Sequence, residues 1–328
     1  MKAVRIHEDG GPEVLRYEDA PDPVPGPGEA LVRLRAASLN HLDLWIRRGT
    51  PSVPKPRILG ADGAGVVEAL GADVSGLSPG QEVVLNPGLD DGRRIIGEHC
   101  QGTDAELAAV PADYVRPKPA HLTFEEAAAF PLVWETAYRM LVTRAGLREG
   151  EWVLVWGAGS GVGSAALQLA KALGAHVLAT SSSEEKLARA RALGADVAVS
   201  HAATADVVAA VKEATAGRGA DVVVEHVGEA TWEASLQAAA FGGRICVCGA
   251  TTGPNPPASL HRIWWKQLSV LGSTMATRAD FEDLLALVEA QRLRPAIDRV
   301  YPLAEAADAH RRLESAEQFG KVVLSIPG

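Results

Sequence analysis

The chain has 328 residues, 47% of them hydrophobic, and a formal net charge of −9 at pH 7. This length allows two domains with substantial cores, and the acidic balance argues against a general nucleic-acid-binding protein. No apolar stretch reaches the length of a membrane span, and the N-terminus lacks the apolar segment of a signal peptide. The three cysteines form no paired framework, so we expect a cytoplasmic protein.

The N-terminal part of the chain is rich in short β patterns interrupted by glycine and proline. A short helix is expected over Leu44–Arg48, which His41 and Asp43 could cap. Such patterns are typical of a β-rich domain. The expected strands are Ala3–Ile6, Val14–Tyr17, Ala30–Ala36, Gly65–Leu70 and Glu82–Leu85.

The middle of the chain alternates strand and helix patterns, which predicts a doubly wound parallel sheet and an α/β fold. Six strands are expected, containing Val153, Val177, Val197, Val222, Ile245 and Val270. After a helix over Phe281–Ala290 the tail turns β-like again, at Val300–Pro302 and Lys321–Ser325. We therefore expect residues 1–124 and 274–328 to share one domain and residues 125–273 to form the other.

A glycine-rich loop joins the first strand of this sheet to the helix that follows. It reads GAGSGVG over 157–163, with Gly159, Ser160, Gly161 and Val162 at its centre. Strand, glycine loop, helix and second strand follow in the order of a dinucleotide-binding unit, in which a helix N-terminus binds the pyrophosphate. Strict G-x-G-x-x-G is not met, and a simple tight turn is the alternative.

The residues after the second strand bear on the choice of nucleotide. An NAD-type site has an Asp or Glu there for the ribose hydroxyls, whereas this chain has Ser181, Ser182 and Ser183, followed by Glu184, Glu185 and Lys186. Hydroxyls and an ammonium would bind a 2′-phosphate that a carboxylate would repel. We expect NADPH, with Ser181, Ser182 and Lys186 near the phosphate. Ser183 is also an ordinary helix N-cap, and both interpretations can hold.

Several segments resemble the medium-chain dehydrogenase/reductase superfamily along essentially the whole chain. These are GGPEVL, PGPGEALVRLRAASLNHLD, ILGADGAGVVEALG, GTDAELAAVPADYV, EEAAAFPLVWETAY, the glycine loop, EEKLARARALGAD and FGKVVL. The resemblance implies a GroES-like catalytic domain built from both chain ends and a Rossmann NADP(H)-binding domain. It also implies a homodimer or homotetramer formed through the Rossmann sheet edge, where Arg262, Trp264, Trp265 and Lys266 lie on an expected helix.

The resemblance also bears on metal content. Zinc alcohol dehydrogenases of this superfamily have ligands at the positions of Asn40, Ala61 and Leu132, and a four-cysteine loop where this chain has only the short segment 87–97. Zinc requires N, S or O ligands in a tetrahedral array, so we expect no metal and a likeness to the zinc-free quinone oxidoreductase branch. An unconventional site made of His41, Asp43, Asp62, Glu98 and His99 is the alternative.

The same resemblance suggests residues beside the substrate and the cofactor. It places Asn40 beside the nicotinamide, Thr136 against its ring and Trp45 near the substrate. For Asn40 the alternative is a turn-forming residue, and for Trp45 it is core packing. Further cofactor contacts are expected where later strands end; for each, a plain strand-end turn is the alternative. They are His201, Val227, Gly249, Ala250, Gly272 and Ser273.

The expected reaction is hydride transfer from NADPH to a quinone or an α,β-unsaturated carbonyl, without zinc. An activated acceptor needs less help than a simple ketone, because its conjugation spreads the developing negative charge. The partners expected are a small carbonyl or quinone substrate and further copies of the chain, with no nucleic acid and no membrane. Two alternatives are an alcohol dehydrogenase with an unusual metal site and a catalytically weak nucleotide-binding protein of the same fold.

Overall fold

The computed structural model describes residues 1–327. They divide into two compact units, one made of Met1–Val133 and the segment from Ala276 onward, the other of Trp134–Met275. The domain limits expected after residues 124 and 273 remain predictions. The divisions between the two compact units fall after Val133 and Met275. Within residues 1–327, no helix is long and apolar enough to cross a membrane.

The first 138 residues form ten strands and three α-helices in the described structure. In chain order they are β1 (Lys2–Ile6), β2 (Arg16–Asp19), β3 (Glu29–Ser38), α1 (His41–Arg47), β4 (Arg57–Ile58), β5 (Asp62–Leu70), β6 (Glu82–Leu85), β7 (Gly88–Leu89), β8 (Arg94–Ile95), β9 (Leu107–Pro111), β10 (Val115–Pro117), α2 (Phe124–Ala129) and α3 (Pro131–Tyr138).

The middle of the chain begins with a π-helical turn, Arg139–Arg144, and then alternates strand and helix. Its elements are β11 (Trp152–Val155), α4 (Gly161–Ala172), β12 (His176–Ser181), α5 (Glu184–Ala192), β13 (Val197–Ser200), α6 (Thr204–Ala214), β14 (Ala220–Glu225), α7 (Trp232–Ala238), β15 (Ala239–Val247), α8 (Leu260–Trp265) and β16 (Ser269–Gly272). The tail adds α9 (Arg278–Gln291), β17 (Ile297–Pro302), α10 (Ala306–Glu314) and β18 (Lys321–Ser325).

The first unit is built on a sheet in the order β10-β6-β5-β3-β18-β17, with β9 also paired to β3. Strand β18 runs antiparallel to β3, with Val323 opposite Ser38, so both ends of the chain share this sheet. Alternate residues of β3, among them Ala30, Val32 and Leu34, are buried in its core, which is the period of a strand with one buried face. This pairing brings the start of β18 next to the end of β3.

The second unit contains a six-stranded sheet in the order β13-β12-β11-β14-β15-β16. All five strand pairs are parallel, which is the 3-2-1-4-5-6 order of a doubly wound nucleotide-binding fold. The strands β11 and β14 at the reversal point are largely buried, as in Val153–Val155 and Val222–Val224. The predicted fold class, an α/β chain with a β-rich unit and a six-stranded doubly wound unit, is confirmed.

Two local predictions need correction. Val14 does not begin a strand, because Pro12–Val14 forms a 3-10 turn and β2 starts at Arg16; the proline ring fixes φ at a value that suits a helical turn. The helix expected over Leu44–Arg48 begins earlier, at His41, with Asn40 as its N-cap residue.

Candidate functional site

The glycine loop after β11 is shaped for close backbone approach. Ser160 is the N-cap of the 12-residue helix α4, and its hydroxyl oxygen accepts from Gly163 N at 2.9 Å. A Cβ at Gly163 would lie 2.3 Å from the carbonyl oxygen of Gly157, closer than Cβ atoms come to backbone. Gly157 itself has a φ of +58°, a left-handed value that favours glycine. The loop thus brings backbone N–H groups and a helix N-terminus together, as a pyrophosphate requires.

Two side chains tie this loop to the neighbouring strands. The hydroxyl oxygen of Thr180, in β12, accepts from Gly157 N at 3.1 Å and lies 3.1 Å from His201 Nδ1. His226 follows β14, and its Nε2 donates to the carbonyl oxygen of Trp156 at 2.8 Å. Burial lowers the pKa of His226, so its imidazole is neutral and supports the loop.

The loops after β15 and β16 line a cavity of about 610 Å³ at the same edge of the sheet. Four predicted cofactor residues are among its lining: Gly249, Ala250, Gly272 and Ser273. Ser273 N donates to the carbonyl oxygen of Val247 at 2.8 Å, while the buried Ser273 hydroxyl has no partner among the described residues. Val227, another predicted cofactor residue, follows the end of β14. Its carbonyl oxygen accepts hydrogen bonds from Thr252 N and Oγ1.

The tight glycine loop at Gly163 and the unpartnered Ser273 hydroxyl both fit a bound dinucleotide. Its pyrophosphate would accept from the loop N–H groups, and a polar ligand along this edge would give the Ser273 hydroxyl a partner. Gly159, Ser160, Gly161 and Val162 would hold the pyrophosphate. The cavity also contains Arg139 and Arg144 in its lining, and Arg144 Nε donates to the carbonyl oxygen of Gly272 at 2.8 Å. Neither arginine was among the cofactor residues predicted from the sequence.

The expected 2′-phosphate region lies where β12 and β13 end. Ser181 closes β12 and is buried, whereas Ser182 is exposed. Ser183 is the N-cap of α5, and its hydroxyl oxygen accepts from Lys186 N at 3.3 Å. Burial lowers the pKa of His201, and the nearby Lys186 ammonium lowers it further.

One of the two glutamates that follow the serines is paired with a cation. Arg191 Nη1 donates to Glu184 Oε1 at 2.6 Å, so a cation already neutralises the first carboxylate after the serines. The end of β12 therefore combines hydroxyls with Lys186. Ser182 and Ser183 are both exposed, and only the Ser183 hydroxyl of these two caps α5.

In the first unit, Asn40 lies at the centre of a buried polar network. Its Oδ1 accepts from Lys321 Nζ at 2.5 Å, and its Nδ2 donates to Asp62 Oδ2 at 2.9 Å. Lys321 Nζ also pairs with Asp62 Oδ2 at 3.0 Å, and both side chains are almost completely buried. Asn40 N donates to Asp43 Oδ2 at 2.7 Å, which anchors the residue at the start of α1.

Two further carboxyl groups surround this network. Burial raises the pKa of Asp43 to about 6, against the N–H groups of Asn40 and Gly60 that favour its charged form. Burial, with the charges of Asp43 and Asp62, raises the pKa of Asp104 well above its ordinary range. Neither carboxyl oxygen of Asp104 has a hydrogen-bond partner among the described residues, so Asp104 is held as a neutral acid.

The other two predicted substrate residues lie on different elements. Trp45, in α1, is 40% exposed, and its ring centroid lies 6.5 Å from that of His41. Core packing alone therefore does not account for Trp45, because the residue is partly exposed. Thr136 is buried in α3 and belongs to the second unit.

The residues at the zinc-ligand positions have other contacts. Ala61 is buried and has no ligating side-chain atom, and Leu132 donates its backbone N–H to Asp62 Oδ1 at 2.8 Å. The segment that replaces the four-cysteine loop is the β7–β8 hairpin. In the described part of the chain, no three His, Cys, Asp or Glu side chains come together in a group that could hold a metal ion. The alternative hard-ligand set is thus not assembled.

Comparisons with known proteins agree with this architecture. Residues 26–120 match the alcohol dehydrogenase GroES-like domain, and residues 161–290 match the zinc-binding dehydrogenase family. A quinone oxidoreductase of Pseudomonas aeruginosa is 35% identical over 98% of this chain and 99% of its own. The chain belongs to the medium-chain dehydrogenase/reductase superfamily. It is therefore an oxidoreductase with a Rossmann-type NAD(P)-binding fold.

Solved structures of the superfamily show the same fold with different activities. One described as an NAD-dependent alcohol dehydrogenase is 47% identical, with a TM-score of 0.96 and complete coverage of both chains. A 2-octenoyl-CoA carboxylase reductase in complex with NADP and 2-octenoyl-CoA is 32% identical, with a TM-score of 0.92 over 99% of this chain and 87% of that one. The superfamily likeness thus leaves both the nucleotide and the substrate open.

Sequence reasoning missed Lys321 as part of the site and treated Asp62 only as a possible metal ligand. One signal was available: Lys321 is the only charged residue of the apolar strand β18. A lysine in a buried strand needs a partner. The partners, however, lie far away in sequence.

Proposed function

We propose that this protein is an NADPH-dependent reductase of quinones or α,β-unsaturated carbonyls that works without zinc. The observation that carries the proposal is the buried Asn40 amide, joined to Lys321 and Asp62 at the position of a zinc ligand. A divalent cation bound to Asn40 Oδ1 would face the Lys321 ammonium, which lies 2.5 Å from that oxygen. Two cations that contact the same amide oxygen in a buried site would repel each other strongly, which favours a neutral hydrogen-bond donor over a metal.

The proposed chemistry divides between the cofactor and the chain. A bound NADPH supplies the hydride. Asn40 donates an N–H from Nδ2 to the oxygen of the acceptor, where negative charge develops. Loss of one preorganised donor of this kind typically costs about 3 kcal/mol of transition-state stabilisation. A conjugated carbonyl tolerates the absence of a Lewis acid better than a simple ketone does, because its charge is spread. Thr136 and the exposed indole of Trp45 are proposed to contact the nicotinamide ring and the substrate.

The printed activities of two relatives support this class of acceptor. A quinone oxidoreductase and a reductase complexed with 2-octenoyl-CoA both act on conjugated carbonyl compounds, as their names state. The NAD-dependent alcohol dehydrogenase likeness favours the second candidate, alcohol oxidation. A metal assay separates the two candidates. We expect well under one zinc per chain after dialysis and no loss of NADPH turnover in a chelator; one zinc per chain with chelator-sensitive turnover would favour the dehydrogenase.

The catalytic role of Asn40 has its own test. Asn40→Ala should lower kcat with 1,4-benzoquinone about 100-fold while the Kd for NADPH stays within about threefold. Asn255→Ala is the matched control, because Asn255 is an exposed loop residue. If Asn40→Ala weakens NADPH binding and leaves kcat unchanged, Asn40 is a cofactor residue and not a donor to the substrate.

The nucleotide preference rests on the end of β12. We infer that Ser181, Ser182, Lys186 and His201 surround the 2′-phosphate, with Ser182 supplying an exposed hydroxyl that does not cap α5. NADPH should bind at least tenfold tighter than NADH, or about 1.4 kcal/mol. Lys186→Ala should remove most of this preference, while Lys171→Ala should not, because the partner of Lys171 is Asp196. Equal affinities of the wild-type protein for both nucleotides would refute the inference.

The second unit also has an exposed apolar face at its sheet edge. Strand β16 is the last strand of the sheet, and Phe241, Leu260, Trp264, Trp265 and Val270 around it are 45–72% exposed. Monomeric proteins rarely leave such patches uncovered. We infer that a second copy of the chain covers this face, giving the homodimer or homotetramer expected from the sequence, in the cytoplasm. Light scattering should show Trp264→Ser with Trp265→Ser to be monomeric; an unchanged mass would contradict the inference.

A further inference from the structure

Lys321 is buried at the start of β18, with 3% of its side chain exposed. An ammonium in such a position is costly unless it is paired and hydrogen-bonded. Its described partners are Asp62 Oδ2 at 3.0 Å and Asn40 Oδ1 at 2.5 Å. The neutral amide is therefore the nearer of its two partners, and the proposed function gives this lysine no part in the reaction.

The two partners of Asn40 fix the orientation of its amide. A lysine ammonium can only donate hydrogen bonds, and an ionised carboxylate can only accept them. Rotating the amide by half a turn would place its NH₂ group against Lys321 and its oxygen against Asp62. Both contacts would then be repulsive, so only one of the two amide orientations is stable.

Asp62 is itself held firmly in place. Besides Lys321 and Asn40, its carboxylate accepts from Leu132 N at 2.8 Å, and Ser38 Oγ lies 3.1 Å from its Oδ2. Ser38 is the last residue of β3, Asn40 follows two positions later, and β3 pairs with β18. The carboxylate therefore cannot swing to follow a reoriented amide.

One N–H of Asn40 remains after these contacts. Nδ2 carries two hydrogens, and the only acceptor found for them among the described residues is Asp62. Because Lys321 holds Oδ1 and Asp62 holds one Nδ2 hydrogen, the second Nδ2 hydrogen points in one fixed direction. A preorganised donor is worth more than a mobile one, because no reorientation is needed as charge develops.

We propose that Lys321 is a positioning residue that, with Asp62, locks the Asn40 amide in the orientation that donates to the substrate oxygen. This inference rests on the proposed function for its catalytic consequence, but the locked amide itself is a structural statement. The two parts can therefore be tested separately.

The structural part is tested by NMR of protein labelled with ¹⁵N-asparagine. The chain has only three asparagines, Asn40, Asn86 and Asn255, so three side-chain amide pairs are expected, and Asn40→Ala identifies the first. In Lys321→Met and Lys321→Gln, the two Asn40 proton signals should shift or broaden and exchange with water at least tenfold faster. Lys171→Met, which removes a partly exposed lysine of the second unit that pairs with Asp196, should leave them unchanged. Unchanged Asn40 signals in a folded Lys321 variant would overturn the proposal.

The catalytic part is tested with NADPH and 1,4-benzoquinone in a double-mutant cycle. Lys321→Gln should lower kcat about tenfold, less than the roughly 100-fold that a 1 Å misplacement can cost, because glutamine can still donate to Asn40 Oδ1. The Kd for NADPH should change less than twofold. In the Asn40→Ala background the same substitution should change kcat less than twofold, since its effect passes through Asn40. If the fold loss of kcat in the double variant equals the product of the losses in the two single variants, Lys321 acts independently of Asn40 and the positioning role is refuted. If the wild-type protein reduces no conjugated carbonyl, the proposed function fails, and the NMR result still decides whether the amide is locked.

Discussion

Acidification should destabilise the protein through His310, a buried residue of α10 that contacts the C-terminal end of α1. Its Nδ1 lies 2.9 Å from Arg47 Nη1, and Arg47 also pairs with Glu314. Arg47 can only donate, so His310 must be neutral to accept from it. These contacts hold α1, the helix that begins after Asn40.

The size of the effect follows from the proton balance of His310. Burial and the Arg47 charge lower its pKa from 6.5 to about 3. Between these values the unfolded chain binds a proton that the folded protein does not, so stability falls as pH falls below 6.5. The loss is about 2 kcal/mol at pH 5 and approaches about 5 kcal/mol near pH 3, at 1.36 kcal/mol per pH unit.

The assay is urea denaturation of wild type and His310→Gln at pH 7 and pH 5, followed by tryptophan fluorescence. Glutamine can still accept from Arg47 but does not titrate, so the variant should lose about 2 kcal/mol less than wild type over this range. Equal losses in wild type and His310→Gln would refute the argument.

Two further predictions concern the two units separately. Asp104→Asn should become more stable than wild type as pH rises from 4 to 8, because the raised pKa of Asp104 makes the folded protein retain a proton that the unfolded chain releases; parallel stability curves for the two proteins would contradict this. Gly163→Ala should destabilise the second unit by about 1–3 kcal/mol and weaken NADPH binding at least tenfold, because the added Cβ would lie 2.3 Å from the Gly157 oxygen. Ala172→Gly, at the far end of α4, should destabilise the helix without weakening binding in a fluorescence titration, and equal loss of binding in both would contradict this role of the tight glycine loop.

The parts of the fold predicted well from sequence are those set by local patterns. The order of strands and helices in the second unit follows from hydrophobic periods of two and of 3.6 residues, broken by glycine loops. The strand Lys321–Ser325 was predicted with the bounds that the structure shows. The glycine loop could be interpreted because strand, loop and helix are contiguous in the chain.

The Asn40 network could not be predicted in this way. Lys321 and Asn40 are separated by 281 positions, and only the pairing of β18 with β3 brings them together. The burial of Ser181 was missed for a related reason, since the residue that ends a strand can face either side of the sheet. Contacts that depend on sheet register across distant segments leave no periodic signal in the sequence.

The most direct test of the central claim compares two reactions catalysed by one preparation of the purified protein. Initial rates are measured for NADPH with 1,4-benzoquinone and with an α,β-unsaturated aldehyde, and for ethanol with NADP⁺ and with NAD⁺. We expect kcat/KM for the conjugated acceptors with NADPH to exceed that for ethanol by at least about 100-fold. This is the typical cost of losing one preorganised electrostatic contact to a charged oxygen, and ethanol oxidation without a metal lacks such a contact to the alkoxide. Faster oxidation of ethanol than reduction of either conjugated acceptor would contradict the account.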